Sequence, residues 1–432
     1  MMDRAYSGYI PYFFEEKPEL REQFDGFTYY PNTLSFGKCT NYGVPPVFGG
    51  YEYTPVEMNK RENDLLRDKH NEAAKLMPAL FYEENYEVTV SDITFANFKN
   101  IPDLTIYDEY EGMNKLHLRG RFLETERFEA IIDSNYRNFF CFSLVKTVPT
   151  FFQNMLYYMG NYSQASHDYS PQIIRSGYLE AYGSSYEFVE DYSVLDALPQ
   201  ITVCSEEDTD TFFMLCNETC HDGVLLQLPD YKPTPLVDNS DLDYSNEFYE
   251  FAVNRDKRSV LTYYHVNMAA MLRLGEWFDY MRANDVYDNT RIIIVADHGE
   301  LQPTKDSLYI NDLGTQTNIG DYNPLLMVKD FNSTGFVTSD EFMTNADVPV
   351  LATNELINDP VNPFTGKAIN SEEKYAHKQF VVPLNYFNVE SSDGEYTQYW
   401  PSQWFSVGEN IFDHSNWTFY EEETALPQAA LN

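Results

Sequence analysis

The sequence predicts an α/β fold in which helices flank a central, mostly parallel β-sheet, with a small subdomain at the C-terminal end. Residues 291–299 carry a run of β-branched side chains between polar flanks, which is typical of a fully buried strand. A long helical pattern over residues 246–284 precedes this run, and the order helix, turn, strand fits a right-handed crossover unit. Further strand patterns alternate with helical ones, as expected of one large α/β domain.

Composition narrows the possible functions. The chain has 432 residues, of which 43% are hydrophobic, so it can build a sizeable core. Its 68 acidic and 29 basic side chains give a formal net charge of -39, which repels nucleic acids and anionic lipid headgroups. We therefore expect no nucleic-acid partner. An anionic substrate would need local positive charge, which a bound divalent cation supplies. Five cysteines are too few, and odd in number, for a disulfide scaffold.

The other elements follow from periodicity. Helical patterns cover residues 9–24 and 55–81, and strand patterns cover residues 26–30, 86–91, 211–217 and 324–328. The most apolar stretch, residues 139–159, is interrupted by Lys146 and Pro149. We interpret it as one or two buried helices and predict no targeting or transmembrane segment.

The amino-acid composition of the sequence changes near residue 367. Residues 368–432 are rich in Tyr and Trp and contain short strand-like runs such as residues 379–383. The predicted organisation is therefore a large domain over residues 1–367 and a small subdomain over residues 368–432.

The predicted strand over residues 291–296 ends in Asp297, His298 and Gly299. In open α/β sheets ligands bind at the carboxyl ends of strands, and a carboxylate beside an imidazole is half of a metal site. The alternative is a structural role, in which the pair caps the next helix.

Two other segments offer reactive groups. Thr40 lies in a loop rich in glycine and hydroxyl groups, just before an apolar segment whose helix N-terminus would point N–H groups at an anion. It could equally be a simple helix cap. His221 follows the third strand, where an ordinary surface histidine is the alternative. Together, a cation held by Asp297 and His298 could activate the Thr40 oxygen to attack phosphorus or sulfur. His221 could hydrogen-bond the transferring group or protonate the leaving alcohol.

These segments resemble the sulfatase-like branch of the alkaline phosphatase superfamily, above all its lipoteichoic acid synthases and phosphoethanolamine transferases. The resemblance covers residues 27–367 and rests on the segments 37–48, 217–221 and 287–300, of which the last is the most specific. It implies an alkaline-phosphatase-like sandwich. It also implies that Thr40 is the nucleophile and that Thr40, Asp297 and His298 bind one divalent ion, Mn²⁺, Mg²⁺ or Zn²⁺. His221 would bind the substrate phosphate.

Two departures from the family pattern matter. Sulfatases proper convert a Cys in a Cys-x-Pro-x-Arg setting to formylglycine, whereas Cys39 is followed by Thr40 and lacks the Pro and Arg. This favours a threonine nucleophile. The family also carries an acidic metal ligand at the end of its first strand. That strand is predicted to be missing here; Asp3 could stand in, although its spacing suits the residue after the ligand better, and metal binding would then be weakened.

The predicted function is metal-dependent transfer of a phosphoglycerol- or phosphoethanolamine-type group to a cell-envelope glycan or lipid. The alternatives are a sulfuric- or phosphoric-ester hydrolase and a truncated, non-catalytic binding domain. By resemblance, the protein would act at the extracytoplasmic face of the membrane, attached only through an upstream segment. The sequence leaves the oligomeric state open.

Overall fold

The computed structural model describes residues 1–123, 129–157, 180–181, 185–205, 209–234, 237–239, 258–299, 305–311, 317–383, 392–400 and 403–421. In these residues, helices alternate along the chain with strands that form several β-sheets, which confirms the α/β class. The helices are α1 (Ile10–Glu16), α2 (Pro18–Gln23), α3 (Thr40–Gly49), α4 (Pro55–Lys60), α5 (Leu66–Glu83), α6 (Glu129–Thr147), α7 (Thr150–Tyr157), α8 (Tyr186–Ile201), α9 (Arg258–Ala283), α10 (Val348–Thr353) and α11 (Glu373–Ala376).

The strands are short. They are β1 (Phe27–Tyr29), β2 (Thr33–Leu34), β3 (Glu87–Ser91), β4 (Asn114–Leu116), β5 (Glu180–Ala181), β6 (Thr211–Leu215), β7 (Val237–Asp238), β8 (Ile292–Val295), β9 (Tyr309–Ile310), β10 (Thr317–Asn318), β11 (Leu326–Lys329), β12 (Val337–Thr338), β13 (Met343–Thr344), β14 (Gln379–Val381), β15 (Gln403–Val407) and β16 (Trp417–Glu421).

Two sheets form the centre of the fold. The first has the order β4-β3-β6, and both of its pairings are parallel. The second has the order β12-β1-β11-β8; β1 and β12 are parallel, whereas β11 runs antiparallel to both of its neighbours. This second sheet, which carries the Asp-His-Gly segment at the end of β8, is therefore mixed. It contains one parallel and two antiparallel pairings.

The first three residues connect these two sheets. Met2 N–H donates to the Val295 carbonyl (2.8 Å), just at the end of β8, and Asp3 N–H donates to the Asn217 carbonyl (2.9 Å), just beyond β6. Asn217 N–H in turn donates to Met1 O (3.1 Å). Residues 1–3 thus lie between β6 and β8, at the sheet position for which the sequence predicted no strand.

Several predicted elements are divided or only partly buried. The helical pattern over residues 9–24 forms α1 and α2, which are separated at Lys17 because Pro18 disfavours helical geometry in the residue before it. The pattern over residues 55–81 forms α4 and α5. Strand β8 was predicted to be fully buried, but only Ile294 and Val295 are. Residues 246–257 of the predicted long helix lie outside the described residues, and α9 covers the remainder.

The interpretation of residues 139–159 as buried helices is wrong for the part that the structure describes. Helices α6 and α7 form there, but no residue from 136 to 157 is buried, and Phe139 and Phe151 are more than 70% exposed. None of the side chains from residue 136 to residue 157 is therefore part of the core. Among the described residues, no helix is both long and apolar enough to cross a bilayer.

The C-terminal residues form an antiparallel sheet of order β14-β15-β16. Trp404 and Phe405 of β15 are buried in the same two apolar clusters that hold the helices and central strands. Val382 also forms a parallel bridge with Gly37, just before α3. The described C-terminal residues therefore pack closely against the first part of the chain, and the division at residues 367 and 368 stays a prediction.

Candidate metal centre and nucleophile

The segment after β8 turns sharply toward the interior. Gly299 N–H donates to the Asp321 carbonyl (3.0 Å), and a Cβ at Gly299 would lie 1.9 Å from the Gly320 carbonyl oxygen. Only glycine fits such a close approach of two backbones. The turn places the side chains of Asp297 and His298 in the interior, where both are buried.

Asp3, Asp297 and His298 form a cluster in which one potential ligand atom from each residue lies within 4.8 Å of the others. We call these three buried residues the floor of the site. The His298 Nε2 atom is 3.7 Å from Asp297 Oδ2. Since His298 Nδ1 lies 2.8 Å from the Gly299 carbonyl, Nδ1 carries the proton and donates, which leaves a lone pair on Nε2, the atom beside the Asp297 carboxylate.

The floor is electrostatically incomplete. Asp3 Oδ1 and Asp297 Oδ2 are buried and accept no hydrogen bond. Burial, and secondly the charge of Asp297, raises the pKa of Asp3 well above its usual value. Burial also lowers the pKa of His298, which keeps its imidazole neutral. Two carboxylates and a neutral imidazole with unsatisfied acceptor atoms fit a divalent cation, and the donor set suits Mn²⁺, Mg²⁺ or Zn²⁺.

The start of α3 is packed against the floor. Thr40 is the first residue of α3, and Cys39 is its N-cap. One turn later, a Cβ at Gly43 would lie 2.3 Å from the Asp297 carbonyl oxygen. The Asn345 amide clamps the two segments, since Nδ2 donates to Gly43 O (3.1 Å) and to Asp297 O (2.9 Å). Thr40 lies three residues before Gly43, on the same helix face, and is partly exposed.

His221 lies beside the cluster, where Arg4 Nη1 donates to its carbonyl, and we call His221 and Asp222 the rim. The His221 side chain is 43% exposed, and its Nδ1 atom lies 3.2 Å from Asp222 Oδ1. The hydrogen bond to Asp222, aided by the charge of Asp3, raises the pKa of His221 to about 9 against the opposing effect of burial. His221 is therefore protonated at neutral pH, with a carboxylate that fixes the orientation of its ring.

Arg4 connects floor and rim, and the sequence reasoning missed it. Its backbone N–H donates to Asp297 Oδ1 (3.0 Å), and its Nη1 donates to the His221 carbonyl (3.3 Å). The buried guanidinium stacks 4.2 Å from the centre of the Tyr263 ring. The one signal in the sequence that could have indicated Arg4 is its position directly after Asp3.

A second arginine outside the predicted set lies close to the rim. Arg119 Nη1 contacts Glu218 Oε2 (2.6 Å), and its Nε contacts Asp191 Oδ2 (3.1 Å). Glu218 directly follows the Asn217 that pairs with residues 1–3, so Arg119 fixes the segment that carries His221. No local pattern in the sequence indicated this contact, which joins residues about a hundred positions apart.

No protein-family model matches the sequence, and the comparison with curated proteins finds no match either. Among solved structures, the lipoteichoic acid synthase LtaP from Listeria monocytogenes is 10% identical over 96% of this chain and 80% of that one, with a TM-score of 0.42. The phosphonate monoester hydrolase SpPMH from Silicibacter pomeroyi is 13% identical over 88% and 78%, with a TM-score of 0.47.

A protein in the alkaline phosphatase superfamily from Vibrio parahaemolyticus is 10% identical over 100% of this chain and 82% of that one, with a TM-score of 0.42. The motifs in the sequence resembled lipoteichoic acid synthases and the alkaline phosphatase superfamily. The similar structures include one member of each. Similarity at these values assigns no reaction, metal or substrate to this chain.

Proposed function

We propose that this protein is a metal-dependent enzyme that acts on phosphate esters with Thr40 as its nucleophile. The observation that carries the proposal is the floor, in which two buried carboxylate oxygens have no hydrogen-bond partner beside the first turn of α3. Structural carboxylates are normally satisfied, and an unsatisfied pair next to a neutral imidazole is the arrangement that a cation completes.

Asp3, Asp297, His298 and the Thr40 hydroxyl would hold the cation. When bound, a divalent ion supplies positive charge that lowers the pKa of a coordinated hydroxyl and offsets the negative charge of the ester oxygens. The overall charge of -39 makes this local positive charge necessary for any anionic substrate.

The residues of the chain have distinct roles in this proposal. The Thr40 hydroxyl gives its proton to a solvent water and its oxygen forms a bond to phosphorus, while the bond from phosphorus to the leaving alcohol breaks. Protonated His221 gives its proton to the departing oxygen, and Asp222 holds the imidazolium in place. The N-terminus of α3, at Thr40, would face the transferring group. Neutral His221 then takes a proton from an attacking water or alcohol, whose oxygen bonds to phosphorus while the bond from phosphorus to the Thr40 oxygen breaks and this oxygen regains a proton from solvent.

The acceptor separates a hydrolase from a transferase. On the strength of the motif resemblance, we propose transfer of a phosphoglycerol- or phosphoethanolamine-type group to a glycan or lipid of the cell envelope, at the extracytoplasmic face. Hydrolysis of sulfate esters is the second candidate, because Cys39 directly precedes Thr40. Thr40 rather than Cys39 is the first residue of α3. This favours Thr40 as the nucleophile, and therefore a phosphate ester as the substrate.

A matched pair of variants tests the nucleophile. The protein loaded with Mn²⁺, Mg²⁺ or Zn²⁺ is assayed with bis(p-nitrophenyl) phosphate and with p-nitrophenyl sulfate. We expect turnover of the phosphate diester that Thr40→Ala abolishes and Cys39→Ala retains, and mass spectrometry should find a phosphorylated Thr40 after rapid quenching. Full activity of Thr40→Ala would refute the assignment, as would sulfate turnover that depends on Cys39. Bound metal without any turnover would support the non-catalytic alternative.

A further inference from the structure

A helical hairpin on the surface has no role in the site described above. It comprises residues 136–157, in which the second part of α6 ends at Thr147 and α7 begins at Thr150, after Pro149. None of these residues is buried. Large apolar side chains are instead strongly exposed, among them Tyr136, Phe139, Phe140, Phe151, Phe152 and Met155. Apolar patches of this kind mark interaction surfaces.

The charge of the hairpin differs from that of the rest of the protein. Aspartate and glutamate make up 68 of 432 residues, about one in six, yet none occurs from Ser134 to His167. The hairpin itself carries Arg137 and Lys146. The net charge of -39 would repel an anionic lipid surface, but this local region is apolar and basic and would be attracted to one.

The dimensions of the hairpin suit the membrane interface. Twelve residues of α6 and the eight of α7 are about 18 Å and 12 Å long, well short of the roughly 30 Å hydrocarbon core. Short helices that combine exposed aromatic residues with basic ones bind at the boundary between headgroups and acyl chains. Self-association is disfavoured, because two copies would bring together four cations and no carboxylate from these segments.

We propose that residues 136–157 dock the protein on an anionic lipid surface. The aromatic side chains insert at the headgroup boundary, and Arg137 and Lys146 contact the negatively charged headgroups. This inference rests on exposure and charge alone and does not depend on the proposed catalytic function.

Flotation of the purified full chain with lipid vesicles tests the proposal. Vesicles of phosphatidylcholine alone are compared with vesicles that also contain phosphatidylglycerol. We expect binding to the anionic vesicles that salt weakens, and a loss of about tenfold or more in partitioning for Phe151→Asp with Met155→Asp. The matched control is Ile101→Asp with Val203→Asp, since these side chains are 83% and 88% exposed elsewhere on the surface; this pair should bind like the parent protein.

Two further variants separate the contributions. Arg137→Glu with Lys146→Glu should remove the preference for anionic vesicles. In Phe152→Trp, the fluorescence of the introduced indole should be quenched by brominated acyl chains. Circular dichroism checks that each variant is folded. The proposal is overturned if anionic vesicles are not bound or if the control pair loses binding equally. It is also overturned if the aspartate variants merely convert a dimer to a monomer, which would identify a second copy as the occupant.

Discussion

The floor and the rim of the candidate site are built from the same residue types and behave in opposite ways. Asp3, Asp297 and His298 are buried, and two of their carboxylate oxygens have no hydrogen-bond partner. His221 and Asp222 are both more than 40% exposed and contact each other. The rim therefore compensates its own charge, whereas the floor needs charge from outside the chain.

The two histidines show the difference most directly. Burial dominates at His298 and lowers its pKa, so this imidazole offers a lone pair. The Asp222 carboxylate dominates at His221 and raises its pKa to about 9, so this ring offers a proton. One region is suited to hold a cation, and the other is suited to exchange protons with a substrate and solvent.

The largest effect should come from the floor. Asp297→Asn removes the negative charge of a direct ligand, so we expect metal affinity to fall by about a hundredfold or more and turnover to fall to background. Calorimetric titration with Mn²⁺ or Zn²⁺ measures the affinity. Asp222→Asn is the matched change at the rim and should leave metal affinity nearly unchanged. Equal losses in the two variants would contradict the division into floor and rim.

The next largest effect should come from the rim. His221→Gln removes the proton donor, which should lower kcat by about a hundredfold without changing metal content. In the parent protein, activity should decline as pH rises past the pKa of His221. Asp222→Asn removes the main cause of the raised pKa, so this alkaline decline should move to lower pH. A pH profile of kcat that is unchanged in Asp222→Asn would argue against a protonated His221.

A third test concerns the stability of the metal-free protein. The pKa of Asp3 is raised in the folded state, so the stability linked to its proton is present below the unfolded value and is lost as pH rises through the folded value. Between these two pKa values, the free energy of unfolding falls by up to about 1.4 kcal/mol for each pH unit. His298, with its lowered pKa, has the opposite dependence, and its contribution is lost as pH falls.

Asp3→Asn isolates the first of these contributions. Denaturant unfolding in EDTA between pH 5 and pH 8 should show the parent protein losing stability with rising pH relative to the variant. Saturating metal should remove this pH-dependent loss of stability in the parent protein, because a bound cation favours the charged form of Asp3. Parallel pH curves in EDTA would mean that Asp3 does not carry the unfavourable buried charge.

The sequence predicted the parts of the site that depend on local patterns. Asp297 and His298 follow a β-branched run, and Thr40 begins an apolar helix; strand ends and helix starts such as these can be predicted from neighbouring residues. The sequence left open whether Asp3 is a metal ligand, and it assigned no role to Arg4. Their positions depend on backbone pairing with Asn217 and Val295, more than two hundred residues away, which no local pattern encodes.

The apolar run from residue 139 illustrates the same limit. Hydrophobicity and the break at Pro149 indicated one or two helices, and two form, because helix formation and its interruption are local properties. Burial depends on whether another part of the chain covers the helices, and the described residues do not cover them. The overall charge of -39 likewise does not describe every part of the chain, since no Asp or Glu occurs from residue 134 to residue 167.

The smallest predicted effect concerns how the nucleophile is held in place. Tyr399, from the C-terminal part of the chain, donates its hydroxyl proton to the carbonyl of Asn41 (3.1 Å), the residue after Thr40. His70 Nε2 lies 2.5 Å from the same hydroxyl, and the Tyr42 ring packs 4.9 Å from the Tyr399 ring. Tyr399→Phe keeps the ring and removes these hydrogen bonds, so we expect a loss of about 1 kcal/mol in stability.

Because this contact acts at the first turn of α3, Tyr399→Phe should also lower kcat several-fold while KM and metal affinity change little. Tyr53→Phe is the control: this buried tyrosine bonds to Asn362 and packs against Gly49, at the far end of the same helix. It should lose similar stability but keep its turnover. If both variants lower kcat equally, the effect is one of general stability, and Tyr399 does not position Thr40 against the floor.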